Sequence, residues 1–203
     1  MVRLRQPEIT LELGLAQGIS ALAIAQALED NGHGIHHVVD PFENTAYEGV
    51  GLTGLKRAGL SDRVVFHEAY AEEVVPSLPR MSFAFIDSSH LFDLTLMDFV
   101  MVDKRLDIGG LIGFHDLWLP GLTKVLRYVV TNRKYLVYDD IPVRPTPKKW
   151  RAVSAVARRI PRAELFLRPE VIELSSDLGL ARSMTFVEKQ GDDTREFNYF
   201  RGF

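Results

Sequence analysis

The sequence predicts an α/β fold with a doubly wound, mostly parallel sheet of about seven strands, closed by a C-terminal antiparallel hairpin. Three observations carry this. Short apolar runs alternate with stretches of helical periodicity from Ile9 to Thr131, the pattern of β–α units whose strands pair in parallel beneath helices on both faces. A turn bearing Gly14 and Gly18 joins the first apolar run to the first helical stretch. After Tyr135 the alternation stops, and two short apolar runs flank Gly191-Asp192-Asp193, the spacing of a hairpin.

Taken in order, Ile9 to Leu13 reads as a strand. Ile19 to Leu28 is a helix with Leu22, Ala25 and Leu28 at helical spacing, ended by Asn31-Gly32. Ile35 to Val39 is the second strand, and Ala46 to Ala58 a helix weakened by Gly49, Gly51 and Gly54. Val64 to His67 is the third strand, and Ala71 to Leu78 a short helix stopped by Pro79. Phe83 to Ile86 is the fourth strand. Asp93 is placed to cap a helix running to Leu106, with Gly109-Gly110 as its breaker. Leu111 to Phe114 is the fifth strand, and Leu122 to Thr131 the next helix. Residues 141–147 hold three prolines and read as an extended loop, and residues 150–160 as a basic amphipathic helix. Met184 to Glu188 and Phe197 to Phe200 are the two hairpin strands.

The length of 203 residues fits one domain over 1–203 with a full core. An apolar run of about 18 residues would be needed for a membrane span, and there is none. The N-terminus lacks the apolar stretch of a secretion signal, which makes a cytoplasmic protein the expectation. With no cysteine, disulfides, thiolate metal sites and cysteine nucleophiles are excluded. The net charge of −3 hides an asymmetry: Arg144 to Arg168 carries eight Lys and Arg against Glu164, so the rest of the chain has a net charge of −10. This basic insertion, at about 141–180, is expected to act as a lid or acceptor site for an anionic small molecule, a carrier-bound intermediate or a membrane surface. Equally, it reads as a solvated helix packing Ala152, Val153 and Val156 on the core. One basic patch on an acidic body, without interleaved aromatics, does not predict nucleic-acid binding.

In an open α/β sheet, ligands sit beyond the C-terminal strand ends, near the reversal of strand order. Gly14 and Gly18 stand there, where glycine permits a tight turn and close approach of a cofactor. Ser20 offers a hydroxyl in the first helical turn. Asp40 ends the second strand, 22 residues after Gly18, where a carboxylate can accept both hydroxyls of a ribose. The dinucleotide pattern G-x-G-x-x-G fails at Ala16 and Ile19, and no Gly-Lys-Ser/Thr follows as a P-loop requires.

The E-x-G-x-x-x-G-x-S pattern from Glu12 to Ser20 resembles motif I of class I S-adenosylmethionine-dependent methyltransferases, the small-molecule O-methyltransferase branch in particular. The resemblance continues in order along the chain. Ala58-Gly59-Leu60-Ser61-Asp62-Arg63-Val64 is similar to the approach to the third strand. Phe83-Ala84-Phe85-Ile86-Asp87-Ser88-Ser89-His90 is similar to the fourth-strand motif, and Gly109 to Asp116, ending in His115-Asp116, to the fifth. The resemblance implies a Rossmann-like domain that binds S-adenosylmethionine. Glu12, Gly14, Gly18 and Ser20 would surround its methionine part, Asp40 its ribose, and the loop Glu68 to Glu72, including Ala71, its adenine. Asp87 would lie near the sulfonium. Related enzymes carry helices ahead of motif I, whereas eleven residues precede Glu12. Truncation, a misassigned start, or cover from another subunit of a homo-oligomer is therefore expected.

Methyl transfer to a hydroxyl needs positioning and a group that removes or weakens the acceptor's proton. Asp87 and His90 follow the fourth strand, and His115 and Asp116 the fifth, so a parallel sheet puts all four on the cofactor's edge. Two readings stay open. In one, Asp87, His115 and Asp116 hold a divalent metal ion that lowers the acceptor's pKa. His115 stands where the metal-dependent relatives have an acid, and imidazole suits zinc, iron or manganese better than magnesium. In the other, His115 or His90 is a general base. Structural alternatives are Asp116 as cap of the helix after Pro120 and His115 as a buried strand end. The remaining histidines, His33, His36, His37 and His67, read as surface or packing residues. A nicotinamide- or nucleotide-sugar-dependent oxidoreductase, or a catalytically silent cofactor-binding scaffold, are the alternatives to a methyltransferase.

Overall fold

A computed structural model describes residues 1–138, 146–180, 183–199 and 201–203. Five of the apolar runs pair in parallel. They are β1 (Ile9–Leu13), β2 (Ile35–Val39), β3 (Val64–His67), β4 (Met81–Ile86) and β5 (Leu106–Phe114). Two further strands, β6 (Tyr135–Val137) and β7 (Thr185–Lys189), run antiparallel at the far edge, giving the order β3-β2-β1-β4-β5-β7-β6. Between β1 and β4 the order reverses, which is where ligands of open α/β sheets bind, beyond the C-terminal strand ends.

The helices are α1 (Val2–Arg5), α2 (Ile19–Asn31), α3 (Glu43–Ala46), α4 (Val50–Arg57), α5 (Ala71–Val74), α6 (Phe92–Arg105), α7 (Pro120–Asn132), α8 (Lys148–Ala157) and α9 (Pro169–Ile172). Strand side chains alternate between the two faces. Leu11, Leu13, Ala84, Ile86, Ile112 and Phe114 join the core beneath α6 and α7. The opposite face places Phe83, Phe85 and Leu111 against Ile24 and Leu28 of α2. Val38 packs with Leu15, Ala21 and Leu55, where α2 meets α4. Pro120 starts α7 with a backbone angle already helical. Leu122, Val125, Leu126 and Val129, spaced three and four apart, bury its inner stripe.

Three expected features fall differently. The expected helix from Ala46 to Ala58 divides into α3 and α4 at Glu48-Gly49, both with positive φ. Gly109-Gly110 does not end a helix: α6 stops at Arg105, and β5 begins at once, carrying both glycines through a shift of register against Met81 and Phe83. Asp93 lies in the first turn of α6, while the cap position is Leu91.

The antiparallel end forms, but β7 pairs with β5 and β6 rather than with a strand at Phe197. Tyr135 is buried and gives β6 its anchor, its hydroxyl donating to Asp103 at 2.7 Å. Phe197 is fully exposed, and residues 194–199 form no strand because nothing there alternates toward the core. Phe200 and most of the proline-rich stretch 141–147 lie outside the described residues. The expected amphipathic helix over 150–160 is α8, two residues earlier at its start. Among the described residues, no helix is long and apolar enough to cross a membrane.

Candidate active site

The turn after β1 is tied to both neighbouring strands. Gly14 N–H donates to Val39 O at 2.9 Å, and Asp87 N–H donates to Leu13 O at 3.0 Å. Gly14 has φ +94°, and a Cβ there would stand 2.3 Å from the Asp87 carbonyl oxygen. The glycine is thus required by the fourth strand's end, which crosses directly over it. Gly18 has φ +74°, and its Cβ would meet Gly51 Cα at 2.8 Å, so this glycine lets α4 close on the turn. Glu43 completes that contact by accepting from Gly51 N–H at 2.8 Å and Leu52 N–H at 3.2 Å.

Asp40 holds the turn from the side. Its Oδ2 accepts from Leu15 N–H at 2.8 Å and Ala16 N–H at 3.1 Å, and its Oδ1 from Phe42 N–H at 2.8 Å. A carboxylate offers about four acceptor positions, so three are filled by backbone and one is left for a ligand.

Under the turn lies a polar line of which the sequence singled out Glu12 and Ser20 but not Thr10 or His36. Thr10, Glu12 and His36 all point to the α2 face of the sheet, and none is accessible to solvent. Thr10 Oγ1 and His36 Nδ1 are 2.8 Å apart, and His36 Nε2 and Glu12 Oε2 2.9 Å. The Ser20 hydroxyl donates to Glu12 Oε1. Glu12 therefore links the strand to the first turn of α2, and both of its oxygens have partners. His36 is a bonded core residue, not a surface or simple packing one. His37, its neighbour, faces the other way and stacks on His67, with Nδ1 and Nε2 3.0 Å apart. Burial holds both imidazoles below their usual pKa, and for His37 the nearby His67 adds to this.

Ala71 opens α5 beside β3 and is partly buried against the main core. Tyr70, just before it, meets Phe42 edge to face at 6.0 Å between ring centres. Both rings are about half exposed, flanking the ledge beyond Asp40.

The four expected groups at the ends of β4 and β5 do converge. His90 Nε2 lies 3.1 Å from Asp87 Oδ1 and 3.1 Å from Asp116 Oδ2. His115 Nδ1 lies 3.3 Å from Asp87 Oδ1 and 3.2 Å from Asp116 Oδ1, without hydrogen-bond alignment to either. The expected metal trio was Asp87, His115 and Asp116. Among the described residues, the trio with ligand atoms within 4.8 Å of one another is Asp87, His90 and Asp116. His90 and Asp116 have φ +60° and +52°, conformations that side-chain-bearing residues seldom adopt and that cluster at functional sites. Asp116 does not cap α7, whose cap position is Leu119. Its carboxylate instead accepts from Trp118 Nε1–H at 3.0 Å.

Behind this cluster, the Ser88 hydroxyl donates to Asp98 of α6. Asp98 is 5% exposed, and burial pushes its carboxyl up to about 6. A cavity of about 620 Å³ lined by Arg133, Lys134, Arg195 and Tyr199 shares no residue with the site. It lies at the other end of α7.

A family model described as a methyltransferase domain matches residues 11–117, which span the turn, Asp40 and the whole cluster. A caffeoyl-CoA O-methyltransferase of Populus kitakamiensis is 26% identical over 166 residues, covering 70% of this chain and 66% of that protein. One of Petroselinum crispum is 32% identical over 154 residues, covering 68% of this chain and 60% of that protein. The chain thus spans less than two thirds of the length of these relatives. Among solved structures, the O-methyltransferase TomG of Streptomyces achromogenes, in complex with SAM, superposes with a TM-score of 0.62 at 14% identity. The match covers 94% of this chain and 76% of that one. An O-methyltransferase of Bacillus cereus in complex with SAH gives 0.57 at 16% identity, covering 68% of each chain. These superpositions establish the fold.

Proposed function

Since this chain belongs to the methyltransferase domain family, we propose that it transfers the methyl group of S-adenosylmethionine to a hydroxyl oxygen of a small molecule. The observation that carries the reading is the convergence of Asp87, His90, His115 and Asp116 beside the Gly14 turn, at the reversal of strand order. The relatives named above act on caffeoyl-CoA by name, so an ortho-dihydroxylated aromatic is the first acceptor to try. Of the basic residues in and after α8, Arg158 bonds to Ile172 O and Asp177, and none makes a described bond to the cluster, so an anionic acceptor is not part of the proposal.

The roles follow from the contacts. The Gly14 turn and the remaining acceptor position on Asp40 receive the methionine part and the ribose. Glu12 acts on the turn through Ser20 and His36. Phe42 and Tyr70 flank the adenine, with Ala71 beneath. The transfer is an in-line displacement: the acceptor oxygen forms a bond to the methyl carbon as the carbon–sulfur bond breaks, leaving S-adenosylhomocysteine. The acceptor's proton goes to His115 Nε2. With Nδ1 turned toward Asp87 and Asp116, the tautomer that carries its proton on Nδ1 leaves a lone pair on Nε2.

The donors of Asp87, His90 and Asp116, two carboxylates and one imidazole, fit manganese, iron or zinc better than magnesium. When bound there, such an ion would lower the acceptor's pKa. The unbonded, buried Nδ1 of His115 lies beside the same carboxylates.

Calorimetry with S-adenosylmethionine, S-adenosylhomocysteine and NAD tests the cofactor. Binding of the sulfur compounds and not NAD is expected; the reverse result sinks the reading. Binding of both sulfur compounds with no S-adenosylhomocysteine released from any hydroxylated acceptor, with and without added metal, would favour a silent scaffold.

A further inference from the structure

The basic segment has a surface that methyl transfer does not use. α8 buries only Ser154 and Ala157, held by Ser154 donating to Ile172 O at 2.9 Å and Arg158 to the same carbonyl at 2.7 Å. On a helical projection, Val153, Val156 and, just past the helix, Ile160 form a stripe beside that buried line. All three are exposed, Val156 at 61%. Trp150 stands exposed at the start of α8, and Leu165 and Phe166 follow in the next turn, Phe166 at 79%.

The exposed cations of this segment are Lys148, Lys149, Arg151, Arg159, Arg162 and Arg168; on the same projection Lys149 falls on the stripe and Lys148 and Arg159 beside it, while Arg151 falls opposite. None of the six has a side-chain hydrogen bond or ion pair among the described residues, unlike Arg158, which pairs with Asp177. Elsewhere among the described residues, paired surface cations, such as Arg3 with Asp30 and Arg80 with Asp107, stand among unpaired ones such as Lys56, Arg57 and Lys104, whereas here six unpaired cations fall within 21 residues. Unpaired cations mixed with exposed tryptophan, phenylalanine and branched aliphatics are the chemistry of a helix lying in a bilayer interface, where apolar side chains enter the acyl boundary and cations meet anionic headgroups. A water-facing helix would not need the apolar stripe, and a nucleic-acid surface would not need Val153, Val156 and Ile160.

We infer that α8 and the turn after it dock the protein on an anionic lipid surface, with Val153, Val156 and Ile160 entering the interface, Trp150 near its edge, and Lys148, Lys149 and Arg159 contacting headgroups. The acidic remainder of the chain faces away from the bilayer, because like charge repels it. This inference does not rest on methyl transfer.

The test is flotation with vesicles of phosphatidylcholine alone and of phosphatidylcholine with phosphatidylglycerol, for the parent and two variants. Val153→Glu with Val156→Glu removes the apolar stripe. Lys149→Glu with Arg159→Glu reverses two cations. All four residues are exposed, so both variants keep the parent's melting temperature. The parent is expected to float with the anionic vesicles only, less so at high salt, with a blue shift of Trp150 emission in a Trp118→Phe background. Each variant is expected to lose about tenfold or more in partitioning. Failure of the parent to bind anionic vesicles overturns the inference, as does equal flotation of the Val153→Glu/Val156→Glu variant. A parent that dimerises through this patch and becomes monomeric in that variant, without floating, overturns it in favour of a second copy of the chain.

Discussion

Gly14 lies directly under the backbone of Asp87: a Cβ at Gly14 would fall 2.3 Å from the Asp87 carbonyl oxygen and 3.2 Å from Ser88 Cα. The cofactor turn and the fourth-strand loop are therefore one unit. Gly14→Ala adds left-handed strain at φ +94° to a backbone clash that no rotamer relieves. A loss of about 2–4 kcal/mol is expected, above the ~1–2 kcal/mol of strain alone. Gly32→Ala is the comparison, since φ is +77° with nothing within 4 Å. Urea denaturation of both variants checks this, and equal losses would remove the clash from the account. Cofactor affinity should fall only for Gly14→Ala.

His36 connects Thr10 to Glu12 with all three side chains buried. His36→Phe keeps a ring in place but leaves a hydroxyl and a carboxylate oxygen without that partner. Each unsatisfied group costs about 1–3 kcal/mol, so a loss of about 2–4 kcal/mol is expected. Adding Glu12→Leu should cost less than the two single losses together, because the stranded carboxylate is then gone. Additive losses in a double-mutant cycle would show that the pair is not coupled.

Asp87, His90 and Asp116 present three donors within 4.8 Å of one another. An ion at about 100 times its Kd stabilises the folded state by about 2.7 kcal/mol, which for a chain of this size raises Tm by about 5–10 °C. Differential scanning fluorimetry with manganese or zinc should show that rise, and with magnesium a smaller one. Asp116→Asn tolerates the residue's φ of +52° and removes the charge, so it should lose most of the shift. If the parent's Tm does not move with any of these ions, the ion has no place at this cluster, and His115 or His90 remains as base alone.

How far the site was legible follows from which signals are local. Asp40, Asp87 and His115-Asp116 each end an apolar run, and a strand's end is visible in the run itself. Their convergence then needs only a parallel sheet. His36 was hidden because a histidine within an apolar strand reads as packing. Its role appears only when β1 pairs with β2 in the register that sets Thr10 opposite His36. The period of two from Thr10 to Glu12 was the one sequence signal that this face was polar. Tyr135 to Val137 is too short a run to declare a strand, and its stability comes from the Tyr135–Asp103 bond across the fold. Gly109-Gly110 misled because glycines end helices more often than they bend a strand through a register shift.

Asp98 makes stability depend on pH in the direction opposite to most carboxylates. Burial raises its pKa from 3.8 to about 6, more than the Ser88 hydrogen bond lowers it. Between these values the folded state holds a proton that the unfolded chain has lost. Unfolding then releases a proton, so this group's contribution to stability is full below pH 4 and falls as pH rises to about 6. The loss is on the order of 2–3 kcal/mol. Asp193, held down to about 2 by the Arg195 guanidinium, acts the other way, its contribution falling as pH drops below 4. The comparison must therefore be between variant and parent. Asp98→Asn keeps an oxygen for Ser88 and cannot titrate. Urea midpoints from pH 4 to pH 7 should show the variant gaining on the parent by about 2–3 kcal/mol across that window. A constant difference would mean that Asp98 stays ionised throughout. Because Ser88 adjoins Asp87, cofactor affinity is expected to follow the same window in the parent and to flatten in the variant.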